Sequence, residues 1–394
     1  MKINVTQCIK CVLDTNDDPD ISFDAAGVCS YCHSYKISKK KNVLEGKAAE
    51  NKLQELVRSI KEKGNNKKYD CLVGLSGGVD STYVGYLAKQ YGLKVLAMHF
   101  DNGWNSELAV KNIENIVNKL GFDLCTYVVD WEEFKDMQLS YLKASVVDIE
   151  ILTDHAIFGA LYKTAKKYNI KYILSGTNVA TESILPKDWA YNFYDSINIK
   201  DIHKKFGTIA NKSFPFFNIN TRYFNQIFKD IRIVELLNII PYIKAKAKST
   251  IINELEWRDY GGKHYESIFT RFFQGYICPV KFGFDKRKAH LSNLVCSGQI
   301  SREEALSELK QPIYNSEQLK IDKEYVIKKF GMTTEEFEQY MTKPNVNHAT
   351  YPSYTKYVYR YTENFFKGIR PILPLMKIIW KMTKPSSIFK KNKL

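Results

Sequence analysis

The segment Leu72-Val73-Gly74-Leu75-Ser76-Gly77-Gly78-Val79-Asp80-Ser81 constrains this chain more than any other. Tyr69 to Leu75 is short and largely apolar and runs into small residues, the pattern of a buried parallel strand. Val79 to Gln90 reads as a helix. A strand that turns through small residues into a helix N-terminus presents free backbone N–H groups and the positive end of the helix dipole. That is an anion site, and a polyphosphate is its usual occupant. Gly77 and Gly78 permit close approach and unusual backbone angles, and Ser76 and Ser81 add hydroxyl donors. The spacing excludes a Walker loop, which needs a lysine after its last glycine; here valine and Asp80 follow.

Further strands are expected at Lys94–Asp101, Leu124–Val129 and Tyr172–Ser175, separated by helices at Glu107–Leu120, Trp131–Val147 and Asp154–Tyr168. Strands alternating with helices predict a doubly wound parallel α/β sheet. Its ligands bind at the carboxyl ends of the strands, where three polar tips converge. These are Ser76–Ser81, His99–Gly103, and Ser175-Gly176-Thr177-Asn178 with Glu182 beyond.

Cys8-x-x-Cys11 and Cys29-x-x-Cys32, seventeen residues apart, have the spacing of a four-thiolate zinc site. A closed four-sulfur shell leaves no position for water, so a bound ion is structural. His33 is an alternative ligand that four thiolates make unnecessary. Cys71, Cys125, Cys278 and Cys296 are isolated in sequence and read as ordinary thiols.

A chain of 394 residues is long enough for one large or two ordinary domains. Neither a signal peptide nor a membrane span is suggested by the apolar runs, so a cytoplasmic location is expected. The net charge of +15 invites a nucleic-acid reading, but Lys356 to Leu394 holds ten Lys/Arg against one acid, a net of +9. The other 355 residues carry only +6, which weakens that reading. The tail mixes apolar residues with Lys367, Arg370, Lys377 and Lys381. Contact with an anionic membrane surface or an acidic partner is one reading of it, and a partly packed tail broken by Pro371 and Pro374 is the other.

The second half contains an isoleucine-rich, helix-like run at Ile231 to Ile243. Two dense polar blocks follow, Glu256 to Ser267 (with GGKHYES) and Lys281 to Ser292 (KFGFDKRKAHLS). Basic residues among glycines and aromatics suit a phosphate-bearing or acidic sugar substrate, while a solvated helix face is the plainer account of Lys286 to Lys288. Ser301 to Lys310, with Glu303 and Glu304 in its first turn, reads as a capped surface helix.

SGGVDS resembles the signature of the PP-loop ATP pyrophosphatases, whose fold is adenine nucleotide alpha hydrolase-like. The resemblance implies that Ser76, Gly77, Gly78, Val79, Asp80 and Ser81 hold the pyrophosphate end of ATP, and that Phe100, Asp101 and Asn102 meet adenine or ribose. Ser175, Gly176, Thr177 and Asn178 resemble the GTxN stretch of the ammonia-dependent NAD synthetases, where a nearby glutamate helps hold Mg2+. Glu182 and Asp80 are the two candidates here. With the paired CxxC, GGKHYES and KFGFDKRKAHLS, roughly residues 5 to 345 resemble the N-acetyl sugar amidotransferases of surface-polysaccharide synthesis, which act on lipopolysaccharide O-antigen sugars or on pseudaminic and legionaminic acids.

That resemblance implies a chemistry. The acetamido oxygen of an N-acetylated, nucleotide-linked sugar attacks the α-phosphate of ATP, ammonia adds to the adenylated imidate, and AMP leaves an acetamidino group. Lys281, Lys286 or Arg287 would neutralise pyrophosphate or the sugar diphosphate, and Lys263 and His264 would face the sugar. Ammonia would come from a separate glutaminase with a cyclase-like barrel subunit. No nucleic-acid partner is expected. The rival reading is a tRNA-modifying PP-loop enzyme of the thiolase type, though the isolated cysteines offer no catalytic pair. The implied organisation is a zinc ribbon at 1–40, a PP-loop ATP-binding domain at 41–190, a mainly helical substrate or partner region at 191–350, and a basic tail at 351–394.

Overall fold

The computed structural model describes residues 5–262 and 264–354. Lys263 and the basic run 356–394 lie outside the described residues. Five strands form one parallel sheet: β1 (Cys71–Gly74), β2 (Val95–Asp101), β3 (Asp123–Val128), β4 (Tyr172–Ser175) and β5 (Arg232–Glu235). Their order is β3-β2-β1-β4-β5. The chain winds outward from β1 in one direction, then returns to place β4 on its other side. Cys71 therefore lies opposite both Val95 and Tyr172, and the connections diverge above β1 and β4. A crevice at such a switch point is where doubly wound sheets hold ligands.

Alternation along the strands explains the two-sided core. Leu72, Leu96, Met98 and Ile173 point to one face, against Phe134, Met137 and Tyr141 of the helix Trp131–Ala144 and Leu152 and Ala156 of the helix Ile151–Lys167. Cys71, Val73, Val95, Ala97 and Leu174 point to the other. There they meet the helices Gly46–Gly64, Val79–Gln90, Glu107–Leu120 and Lys244–Leu255. Burial on both faces is why β1 and the Val95–Met98 part of β2 are apolar without interruption.

Helix ends follow their local chemistry. Ser106 accepts from Ala109 N to begin Glu107–Leu120, and Gly121 ends it at φ +65°. The helix expected to reach Val147 stops at Ala144, where Ser145 turns left-handed (φ +58°). Ser301 and Glu304 form the reciprocal capping box of the helix Arg302–Leu309.

The run Ile231 to Ile243 is not the helix its composition suggests. Arg232–Glu235 is β5, paired with β4, and a single 3-10 turn follows at Leu236–Asn238. β-Branched Ile233 and Val234 pack on the pleated surface, and the neighbouring strand overrides the periodicity. The sheet thus takes its last strand from the 191–350 segment that reads as mainly helical.

The C-terminal helices are attached at the tip of β2. Trp104, fully buried, stacks on Phe269 at 5.1 Å and meets Phe330 edge-on at 5.3 Å. Ser106 N donates to Glu266 O and Ile268 N to Trp104 O, both at 2.9 Å. These contacts bring residues 264–270 onto the open end of the sheet. The short helix Ile268–Phe272 continues as a wide π-helix, Phe273–Phe282, with Pro279 inside it. Among the described residues, no helix is long and apolar enough to cross a membrane.

Candidate active site

The turn after β1 is held open from behind. Gly77 has φ +85°, and its carbonyl accepts hydrogen bonds from Trp257 Nε1 (2.7 Å) and Tyr260 OH (3.0 Å). Asn112 fixes the segment between them by pairing with both backbone groups of Arg258, at 2.8 and 2.9 Å. The rings of Trp257 and Tyr260 also line the cleft, so the loop's carbonyl is anchored in its wall. Ser76 Oγ accepts from Gly78 N (3.2 Å) and lies 3.1 Å from Ser81 Oγ, so the two hydroxyls rim the N-terminus of the helix Val79–Gln90. This is the arrangement that suits phosphate oxygens.

The tip of β4 closes the other wall. A Cβ on Gly176 would stand 2.9 Å from Ser81 N, so only glycine lets the two loops touch. Together they open a cleft of about 510 Å³, lined also by His99, Phe100 and Asn102 from β2. His99 is buried and donates from Nδ1 to Leu75 O (3.0 Å), while Nε2 accepts from Asn105 Nδ2 (2.9 Å). That network fixes the tautomer and joins the tips of β1 and β2.

Most of the residues read from the sequence converge here. Ser76, Gly78, Val79, Asp80, Ser81, Phe100, Asn102, Ser175, Gly176, Thr177, Glu182, His264 and Lys286 all line the cleft. Asp80 accepts a hydrogen bond from the Tyr242 hydroxyl, and burial with the adjacent Asp80 carboxylate pushes that phenol far above its ordinary range. Glu182 also raises that phenol through its charge, and both carboxylates line the same cleft. Two carboxylates beside a phosphate-shaped turn match what Mg2+ requires when phosphates complete its shell.

Other assignments are corrected. Lys281 is elsewhere: its Nζ donates to Tyr340 O (2.8 Å) and Lys343 O (2.7 Å), capping the helix Thr334–Thr342. Arg287 is outside the main cleft: it grips Asp285, reaches the carbonyls of Glu308, Leu309 and Gln311 at the end of the helix Arg302–Leu309, and lines the chamber beside the cleft. Asp101 accepts from Gly103 N (2.8 Å) and Asn105 Nδ2 (3.1 Å), shaping the turn after β2 instead of lining the cleft. Asn178 is a buried cap, accepting from Thr181 N (2.9 Å). Gly77 contributes through its backbone bend, with the cleft lined by its neighbours. At the start of one helix, Arg287–Ser297, Lys286 and Arg287 both border the side chamber while Lys288 turns to the N-terminal module. Lys286 enters the cleft and Lys288 pairs with Asp14 (2.7 Å) and Asp17 (2.9 Å), so neither is a solvated face.

The cleft also contains acids that the sequence did not single out. Glu150 and Asp154, at the start of the helix Ile151–Lys167, lie on its floor with Thr153. Depth in the protein raises Glu150 to about 7, against the hydrogen bond from Thr270 Oγ1. Asp154 is raised to about 7 by the same depth and by Asp148, although its side chain opens onto cleft solvent. Lys286 opposes both shifts but has no carboxylate within 4 Å among the described residues. In sequence, Glu150 and Asp154 look like ordinary first-turn acids of a helix, and only the crossing of that helix under the cleft distinguishes them. Glu266 was likewise missed. Its carboxylate oxygen would be 3.2 Å from a Cβ on Gly78, which places it against the phosphate turn.

A side chamber of about 320 Å³ continues the cleft. The two share Lys244, Gly261, Gly262, Gln274 and Lys286, and Tyr265, His290, Glu308 and Gln311 line the far part.

At the N-terminus, Cys8, Cys11, Cys29 and Cys32 are buried with their sulfurs within 4.8 Å of one another. Lys10 N, Cys11 N and Cys29 N all point at Cys8 Sγ (3.3–3.4 Å), which stabilises negative sulfur. The donor set fits a tetrahedral, structural Zn2+. His33 instead pairs with Asp24 at 2.9 Å.

Two family descriptions match the chain. Residues 70–198 match the queuosine biosynthesis protein QueC, and residues 266–365 match the LPS biosynthesis protein WbpG-like, C-terminal domain. An uncharacterized protein of Methanocaldococcus jannaschii is 21% identical over 315 residues, covering 78% of this chain and 94% of that one. The tRNA(Ile)-lysidine synthase of Chlamydia pneumoniae is 37% identical over 75 residues, which are 18% of this chain and 23% of the relative. The solved NH3-dependent NAD synthetase from Campylobacter jejuni covers 76% of this chain and 98% of its own at 15% identity, with a TM-score of 0.30.

Proposed function

We propose that this chain, a PP-loop protein with a WbpG-like C-terminal domain, is an ATP-dependent amidotransferase that converts the acetamido group of an N-acetylated, nucleotide-linked sugar into an acetamidino group. The observation that carries the reading is the lysine-free glycine turn at the switch point of the sheet, joined in one cleft to residues of the WbpG-like segment. An amide oxygen is a poor leaving group, and transfer of adenylate to it supplies a good one. The turn at 76–81 would hold the departing pyrophosphate through backbone N–H groups and the two serine hydroxyls. Mg2+, when bound beside Asp80 and Glu182, would neutralise phosphate charge.

The acceptor would occupy the side chamber, with its acetamido group directed past Gln274 and Lys286 toward the α-phosphate. A ring face on Tyr265 and hydrogen bonds to Gln311, His290 and Glu308 suit a hydroxylated sugar. Lys286 is placed to polarise the acetamido carbonyl or to offset phosphate charge. Glu150 and Asp154, raised to about 7 and so partly ionised at neutrality, would in their ionised form take the proton that ammonia sheds as it adds to the imidate. Ammonia would be delivered by a separate glutaminase with a cyclase-like channel subunit.

Sulfur transfer to tRNA is the competing chemistry. It calls for a cysteine in the cleft, and none lines it among the described residues. Cys71 and Cys278 are buried, and burial pushes both thiols well above their ordinary range.

The test is incubation with ATP, ammonium and a panel of UDP- and CMP-linked N-acetyl sugars. The expected outcome is AMP in step with a product lighter than its acceptor by the difference between O and NH. Turnover on tRNA alone, with affinity falling steeply as salt rises, would overturn the assignment.

A further inference from the structure

Cys296 is not the isolated thiol that its sequence position suggests. Its Sγ lies 3.5 Å from Cys32 Sγ, across 264 residues of chain, making a fifth sulfur at the edge of the four-cysteine centre. Cys32 is 2% exposed, whereas Cys296 is half-buried and reachable from solvent. It sits near the end of the helix Arg287–Ser297, and Lys286, which lines the cleft, immediately precedes the start of that helix. The N-terminal module is clamped to the same region. Val12 N reaches Ser292 Oγ (3.4 Å), Lys288 pairs with Asp14 and Asp17, and Arg302 holds the carbonyls of Cys8 and Cys11 at 3.0 Å.

We propose that Cys32 and Cys296 form an oxidisable thiol pair that makes the metal centre a peroxide-sensitive site. Hydrogen peroxide, a two-electron oxidant, oxidises the accessible Cys296 to a sulfenic acid with loss of one water. The sulfur of Cys32 then attacks that sulfur and displaces hydroxide, which leaves as the second water after taking up a proton. Each sulfur gives up one electron, the peroxide O–O bond is broken, and one S–S bond forms. The sulfurs close from contact to about 2.0 Å, a displacement of side-chain scale. The metal is left with Cys8, Cys11 and Cys29, and loses affinity with its fourth thiolate.

The experiment uses the full chain loaded with Zn2+, hydrogen peroxide in stoichiometric steps, and a zinc-sensitive dye. Peptide mapping then locates any disulfide. The expected result is zinc release in step with a Cys32–Cys296 bridge, slowed about tenfold in Cys296→Ser and restored to the metal-bound state by a thiol reductant. Cys296→Ala is run beside it, with zinc content before oxidation showing that each variant has folded. Release from Cys296→Ser at the wild-type rate, a bridge only among Cys8, Cys11, Cys29 and Cys32, or no release from wild type would each overturn the proposal.

Discussion

Gly77 and Gly176 are required for different physical reasons. Gly77 adopts φ +85°, a region costly for any side chain, and a Cβ there would also stand 2.7 Å from Tyr260 OH. Gly176 is sterically confined by the backbone of Ser81. The first is legible in the signature itself, while the second becomes visible only when β4 is seen beside β1. Trp257 shows the same limit. In sequence it belongs to a polar–aromatic block that reads as substrate-facing; it does line the cleft, but its indole N–H is committed to the carbonyl of the phosphate turn. Trp257→Phe removes that donor from a buried carbonyl and is predicted to cost about 1–2 kcal/mol in denaturant unfolding. ATP titration of the same variant is expected to show weaker binding, because the turn loses one of its two holding bonds. Unchanged binding would mean that Tyr260 alone suffices. Glu150 gives a pH test. Its folded value near 7 lies above the ordinary carboxylate range, so its contribution to stability is fully present in acid and is lost as pH rises through about 7. Glu150→Gln is predicted to raise the melting temperature relative to wild type at about pH 8 and to change it little near pH 4.

At the scale of elements, sequence patterns worked where one local rule decided the outcome. The strand–helix alternation located Val79–Gln90 and Glu107–Leu120, the capping signature located Arg302–Leu309, and the paired CxxC located the four-cysteine cluster. They failed where tertiary partners decided. β5 is a strand because β4 offers it an edge, and Lys281, Arg287 and Lys288 are bound to the ends of two helices and to the N-terminal module, Arg287 bordering the side chamber as well. The helix Arg287–Ser297 has a hydrophobic surface toward the module at Leu291 and polar clamps at Lys288 and Ser292. Stripping Zn2+ with a strong chelator is therefore predicted to release amide protection in residues 287–297 as well as in 5–33, read by hydrogen exchange. Exchange rising in the cysteine segment alone would show that the module is an independent attachment.

For the molecule as a whole, the sequence implied a doubly wound sheet with a phosphate turn, and the structure adds what makes that turn part of a larger site. The sheet order sets the crevice above β1 and β4, the Trp104 cluster brings residues 264–270 over it, and Lys286 stands where the cleft meets the side chamber. Among the described residues the cleft is lined by a few placed cations and acids, Lys244, Lys248 and Lys286 beside Asp80, Glu150, Asp154 and Glu182. These features support an enzyme that activates an amide by adenylation. The most direct measurement follows the oxygen atom. An acceptor sugar labelled with heavy oxygen in its acetamido carbonyl is turned over with ATP and ammonium, and the label is traced by mass spectrometry. The account predicts the label in AMP, with pyrophosphate unlabelled. Label in orthophosphate alongside ADP, or retained in the sugar, would contradict it.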